Sequence, residues 1–174
     1  KSLPTWMETW STLRTETRIN KGFRIRLLII LFRLACYSKQ GASSIRFALT
    51  PLAWLYKIYT EFLLGIELPA SVRIKPGLVI YHGTGLVVHP RATIGRDCIL
   101  RHGVTIGNKG KGDGTPPQIG DFVEIGAGAS IIGPIRVGNH VTIGAGTVVT
   151  RDVSDYQIIV GAAPRVYART DSPT

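Results

Sequence analysis

The sequence predicts a mainly β fold, a solenoid of short parallel strands closed at its start by an α-helical cap. The first observation is a period. Thirteen aliphatic residues recur at a spacing of six, with two wider gaps: Leu68, Ile74, Ile80 and Leu86, then Ile94, Leu100 and Ile106, then Ile119, Ile125, Ile131, Val137, Ile143 and Val149. The second is the glycine that follows six of them, Ile94, Ile106, Ile119, Ile125, Val137 and Ile143. The third is the different texture of the first 65 residues, where helix starts and stops replace the six-residue period.

The N-terminal elements come first in the chain. Thr5 with Glu8 three residues on forms a capping box that opens a helix through Trp6 and Trp10. Asn20, Lys21 and Gly22 break it. From Phe23 to about Tyr37 the run FRIRLLIILFRLACY is apolar nearly all round, so this helix is buried in protein or lies in lipid. It is too short and too interrupted for a membrane span, which needs ~20 apolar residues. Thr50 and Pro51 supply an N-cap and a first-turn proline, and Gly65 a stop, for the helix LAWLYKIYTEFLL. The expected organisation is a helical region over 1–65, a β-solenoid over 66–153 and a tail over 154–174.

Within the solenoid each hexamer is a strand of about five residues, with two side chains facing inward and a glycine easing the corner. The second inward position holds a small or β-branched residue, as at Val72, Thr84, Ala92, Cys98, Val104, Ala129 and Thr147. One hexamer cannot bury its apolar face, whereas a stack of them can. Unpaired strand edges at the open first coil need cover, which is a physical reason for a helical cap.

Composition narrows the function classes. The 174 residues suit one domain. Two cysteines, Cys36 and Cys98, make no disulfide framework, and a reducing cytoplasmic home follows as the default. Residues 1–65 carry ten Lys or Arg against three acids, net +7, and residues 66–174 carry eleven against eight, net +3. No strand interleaves aromatic and basic residues, so nucleic-acid binding is not expected. An anionic membrane surface or an acidic polymer fits the basic segment better. The helices therefore have two readings, a cap that packs on a partner subunit and a basic apolar segment lying on the inner membrane.

Chemistry concentrates in two His-Gly pairs. His82 follows Ile80 by two and His102 follows Leu100 by two. Their separation of twenty equals an eighteen-residue coil plus two extra residues, placed between Leu86 and Ile94. That puts both histidines at one corner of adjacent coils, ~4.8 Å apart in the backbone.

The stretch from ATIGRDCILRHGVTIG to VGNHVTIGAGTVVT resembles the hexapeptide-repeat acyltransferases, over roughly residues 45–168. Within them it is similar to the serine acetyltransferases and, more closely, to the colanic-acid and exopolysaccharide biosynthesis acetyltransferases. The resemblance implies a left-handed parallel β-helix with three hexamers per coil. It also implies a homotrimer whose active sites lie between neighbouring chains, and acetyl-CoA as acyl donor. The loop from Gly107 to Gln118 would reach over a neighbour.

By this resemblance VIYHGTGLVV holds the catalytic histidine, His82, acting as general base on a hydroxyl. Glu67, fifteen residues upstream, takes the place of an orienting aspartate, and His102 holds the acceptor or polarises the thioester oxygen. Gly83 and Gly103 would let backbone amides approach. Ala127 and Ala145 match the positions beside the pantetheine arm, and Thr150, Arg151 and Arg165 those that meet the nucleotide and its phosphates, with Lys109 and Lys111 also in reach.

The acceptor contacts differ from the serine enzymes. Where they place an Asp before the catalytic His this chain has Tyr81, and where they place an Arg-His pair it has Thr115 and Pro116. No cation remains there to match an amino-acid carboxylate. Tyr81, Thr84 and Thr115 are then the acceptor contacts, and the acceptor is a saccharide, a capsular or exopolysaccharide building block or polymer. L-serine is the alternative. Two further classes are weaker: a zinc site, for which neither His89 nor His140 completes a set with His82 and His102, and a non-catalytic scaffold.

Overall fold

The computed structural model of the chain describes residues 6–40, 43–110 and 114–161. Three helices lead: α1 (Trp6–Ile19), α2 (Phe23–Gln40) and α3 (Ser43–Lys57), the last running into a π-helical segment, Ile58–Leu64. Gly22 breaks the chain between α1 and α2 with φ 83°, and Gly65 ends the helices in the left-handed conformation that a residue with a Cβ rarely adopts.

Among the described residues thirteen strands of two or three residues follow, shorter than the five expected, three to each of the first four coils. The first coil holds β1 (Arg73–Ile74), β2 (Val79–Tyr81) and β3 (Val87–Val88); the second β4 (Thr93–Ile94), β5 (Ile99–Arg101) and β6 (Thr105–Gly107). The third holds β7 (Gln118–Ile119), β8 (Glu124–Ile125) and β9 (Ser130–Ile132); the fourth β10 (Arg136–Val137), β11 (Thr142–Ile143) and β12 (Val148–Val149). β13 (Ile158–Ile159) begins a fifth, so the segment expected as a tail from 154 opens with one more rung.

Among the described residues every pairing is parallel and between successive coils, giving three sheets: I, β1-β4-β7-β10; II, β2-β5-β8-β11-β13; and III, β3-β6-β9-β12. The aliphatic residues stack in register, for example Ile80, Leu100, Ile125 and Ile143 along sheet II, and fill the prism core.

Register corrects one detail. Val88, not Leu86, pairs with Ile106, so the two extra residues lie in the turn after His82 and not at His89–Pro90. Leu86 then takes the second inward position of that strand and Thr84 is exposed in the turn. Period alone could not separate Leu86 from Val88, because both are apolar, buried and two residues apart.

α2 resolves to the protein interior. Leu28, Ile29, Phe32 and Ala35 are fully buried in the core cluster that runs on into Ile66, Leu78 and Ile80. Polar side chains from α1, from Asn20 just past its end and from α2 finish the open strand edge. The Asn20 amide donates to the Leu78 carbonyl and accepts from the Ile80 N–H, both at 2.8 Å, as a neighbouring strand would. Glu16 accepts from the Gly77 and Leu78 N–H groups, and Arg33 donates to the Ile74 and Lys75 carbonyls. On the other side the Tyr56 hydroxyl donates to the Leu68 carbonyl. These bonds satisfy backbone groups that no earlier coil can reach.

α3 starts at Ser43, seven residues before the expected Thr50 cap, and Pro51 sits within it. The proline is exposed, while Tyr56 is buried against Phe32 of α2 with ring centroids 6.1 Å apart. Packing of this kind outweighs the hydrogen bond that a proline deletes.

Candidate active site

The corner between sheets II and III carries the two His-Gly pairs. The ladder Ile80↔Leu100 and Tyr81↔Arg101 leads directly into His82 and His102, whose ring centroids are 6.2 Å apart in an edge-to-face arrangement of 74°. Both histidines are exposed. His82 has φ 65°, whereas the other positive-φ residues of this corner, Gly83, Gly85, Gly103, Gly128 and Gly146, are glycines. A left-handed L-residue costs about 1–2 kcal/mol, and the longer first turn fixes His82 in that conformation.

The same corner continues upward. Ala127 and Ala145 stand two residues past Ile125 and Ile143, as His102 stands past Leu100, so His82, His102, Ala127 and Ala145 form one column. A Cβ built on Gly128 or Gly146 meets nothing within 4 Å. Small side chains bordering open space fit a thin extended arm of the kind expected for the donor.

Not every expected residue joins this column. Thr84 and Tyr81 flank His82. Thr150 and Arg151 follow β12 on the corner between sheets III and I, the corner from which the loop after β6 also leaves. Thr115 lies in that loop, which is held by Arg91 and Asn108, both donating to the Gly114 carbonyl. Lys109 lies along Gly133 on that corner, Lys111 falls outside the described residues, and so does Arg165. Within one chain the histidine column and the Thr150–Arg151 corner are separate.

Glu67 sits at the start of sheet III, its backbone paired with Leu86 and Val88 and its side chain exposed. It lines a shallow cleft with Glu61, Gly65, Ile66 and Val87. Among the described residues no hydrogen bond joins its carboxylate to His82. The Gly83 and Gly103 amides are engaged, donating to the Tyr81 and Thr84 carbonyls. His89 falls on the III–I corner and His140 on the I–II corner, so the four histidines divide among three corners. Among the described residues no three His, Cys, Asp or Glu side chains gather as a metal cluster.

Arg101 and Glu124, near the histidines, went unrecognised in the sequence. Arg101 precedes His102 as Tyr81 precedes His82; its guanidinium carbon is 5.2 Å from the Tyr81 ring centre, and its Nη2 bonds Glu124 Oε1 at 2.5 Å. The signal was present. Tyr81 and Arg101 are twenty residues apart, the separation of the two histidines.

Comparison with known proteins adds four findings. The family model "Bacterial transferase hexapeptide (six repeats)" matches residues 116–151. The Escherichia coli (strain K12) putative colanic acid biosynthesis acetyltransferase WcaB is 44% identical over 116 residues, 67% of this chain and 72% of that protein. The serine acetyltransferase of Synechococcus elongatus is 39% identical over 112 residues, 64% of this chain and 46% of that protein. Among solved structures, soybean serine acetyltransferase complexed with serine superimposes with a TM-score of 0.69 at 34% identity, covering 83% of this chain and 57% of that one. The chain thus spans about half the length of these serine acetyltransferases.

Proposed function

Because the chain belongs to the hexapeptide-repeat acyltransferases, a family that uses acetyl-CoA, we propose that it is an O-acetyltransferase acting on a saccharide hydroxyl in surface polysaccharide synthesis. The observation that carries this reading is the single corner column of His82, His102, Ala127 and Ala145.

His82 is the general base. Its imidazole takes the proton of the acceptor hydroxyl as that oxygen bonds to the acetyl carbon, since a neutral hydroxyl is a poor nucleophile. Acetyl-CoA supplies an activated thioester; its carbon–sulfur bond breaks, and the proton held on His82 returns to the departing thiolate. The acetyl group passes directly to the acceptor with no acyl-enzyme. His102, 6.2 Å away between ring centres, holds the acceptor or polarises the carbonyl oxygen. Glu67, whose carboxylate makes no hydrogen bond to His82 among the described residues, keeps its orienting role on the family resemblance alone. Ala127 and Ala145 border the pantetheine arm, and Thr150, Arg151 and Arg165 meet the nucleotide end. The separation of the two corners within one chain supports a homotrimer in which a neighbour completes each site.

Serine acetyltransferases recur among both the curated relatives and the solved structures, and on that ground the comparisons weigh more toward L-serine than toward a sugar. The residues weigh the other way: Tyr81, Thr115 and Pro116 stand where the serine enzymes place charged groups, and a relative 44% identical carries a colanic-acid biosynthesis name. We take the saccharide as acceptor. Thiol release from acetyl-CoA, measured with L-serine against a panel of capsular repeat-unit saccharides, tests this; turnover with serine alone replaces the saccharide by serine.

The N-terminal helices supply peripheral contact with the inner face of an anionic membrane. Among the described residues no helix is long and apolar enough to cross one. What supports contact is an exposed apolar row, Trp54, Leu55, Ile58, Phe62 and Leu63, on a segment of net charge +7. Flotation with anionic liposomes should depend on that row, and no flotation of the full chain removes the contact.

A further inference from the structure

We propose that Tyr81, Arg101 and Glu124 form an acceptor subsite that reads adjacent hydroxyls of a sugar ring, an inference that rests on the saccharide reading above. Tyr81 and Arg101 are ladder partners on the outer face of sheet II, each one residue before a corner histidine, and Ile99↔Glu124 places the carboxylate on the next coil. Arg101 and Glu124 are 39% and 40% exposed, so the pair faces solvent beside the proposed base.

Its chemistry is specific. Arg101 spends one nitrogen on one oxygen of Glu124. Among the described residues, the other guanidinium N–H groups and the second carboxylate oxygen have no protein partner. The open edge therefore offers donors next to an acceptor with no net charge. Neighbouring hydroxyls, each able both to accept and to donate, complement such an edge with the ion pair intact. An amino-acid carboxylate seated on the same donors would lie against the like charge of Glu124. The Tyr81 ring, with the guanidinium carbon 5.2 Å from its centre and the residue still 38% exposed, adds an apolar edge for the C–H side of a sugar. This restores to the site a cation that Thr115 and Pro116 lack, already committed in a way that suits a neutral polyol.

The experiment measures kcat and KM for the best saccharide with the full chain, for wild type and for Arg101→Met, Glu124→Gln and the double variant, with melting temperature as the fold control. Loss of a hydrogen bond to a charged group should raise the saccharide KM about 10- to 100-fold in each single variant, with kcat nearly unchanged. The double variant should be no worse than the sum of the singles predicts, because the partners act as one edge. Arg101→Lys, which keeps the charge but not the fork, should recover KM only in part. An unchanged KM in both single variants overturns the subsite while leaving the saccharide function standing. A wild type that acetylates no saccharide overturns that function, and the subsite with it.

Discussion

Glu16 and Arg33 form a buried ion pair at the joint between the helices and the first coil, with Arg33 Nη2 2.6 Å from Glu16 Oε1 and Glu16 wholly out of solvent. Each also bonds backbone: Glu16 takes the Gly77 and Leu78 N–H groups and Arg33 the Ile74 and Lys75 carbonyls. The pair thus behaves as a substitute strand edge. Glu16→Ala should lower stability by about 3–5 kcal/mol, because it strands a buried guanidinium and two amides. Urea denaturation reads this directly, and a loss below about 1 kcal/mol would show that the joint opens to water.

Gly95 lies against the next coil, where a Cβ would stand 2.1 Å from the Gly120 carbonyl oxygen. Gly95→Ala should therefore force backbone apart and cost about 1–3 kcal/mol or more. Gly128→Ala meets nothing within 4 Å and carries only its positive φ of 68°, a cost of about 1–2 kcal/mol. Melting temperatures should fall further for the first; the reverse order would mean that the coils can spread freely.

The solenoid was legible because its signal is redundant: Ile94, Leu100 and Ile106, then Ile119 to Val149, repeat one pattern often enough that the loop at 107–118 does not hide it. Asn20 and Gly65 were legible as breaks for the same local reasons that the structure shows. Asn20's second role, bonding Leu78 and Ile80, was not, because it depends on residues 58 and 60 positions away. The histidine pair followed from spacing alone, whereas the Arg101–Glu124 contact needed the ladder. Pro51 misled because helix-start preference is local and the packing of α3 on α2 is not.

Thr147 occupies an inward repeat position, and its buried hydroxyl has no hydrogen-bond partner among the described residues. Thr147→Val keeps the shape and removes the unsatisfied group, so it should stabilise the protein by about 1 kcal/mol. An unchanged or lower melting temperature would point to a partner for that hydroxyl beyond the described residues.

Burial pushes the Cys36 thiol up to about 12 and the Cys98 thiol up to about 11. Both stay protonated and unreactive in the fold at pH 8, so iodoacetamide should label neither until denaturant is added, when mass spectrometry should find two adducts. The sign for stability follows. Above the ordinary thiol value near ~8.5 the unfolded chain gains thiolate first, and the fold loses stability as pH rises from there toward the raised values. Rapid labelling of the native protein would contradict the burial.

The most direct test of the account is the rate of thiol release from acetyl-CoA by wild type and by His82→Asn with the best acceptor. Asparagine tolerates the left-handed backbone at position 82 but cannot serve as the base. The account predicts a kcat lower by roughly 10²- to 10⁴-fold with the fold intact. A variant that folds normally and turns over at the wild-type rate would contradict the assignment of His82 and, with it, the reading of this corner as the active site.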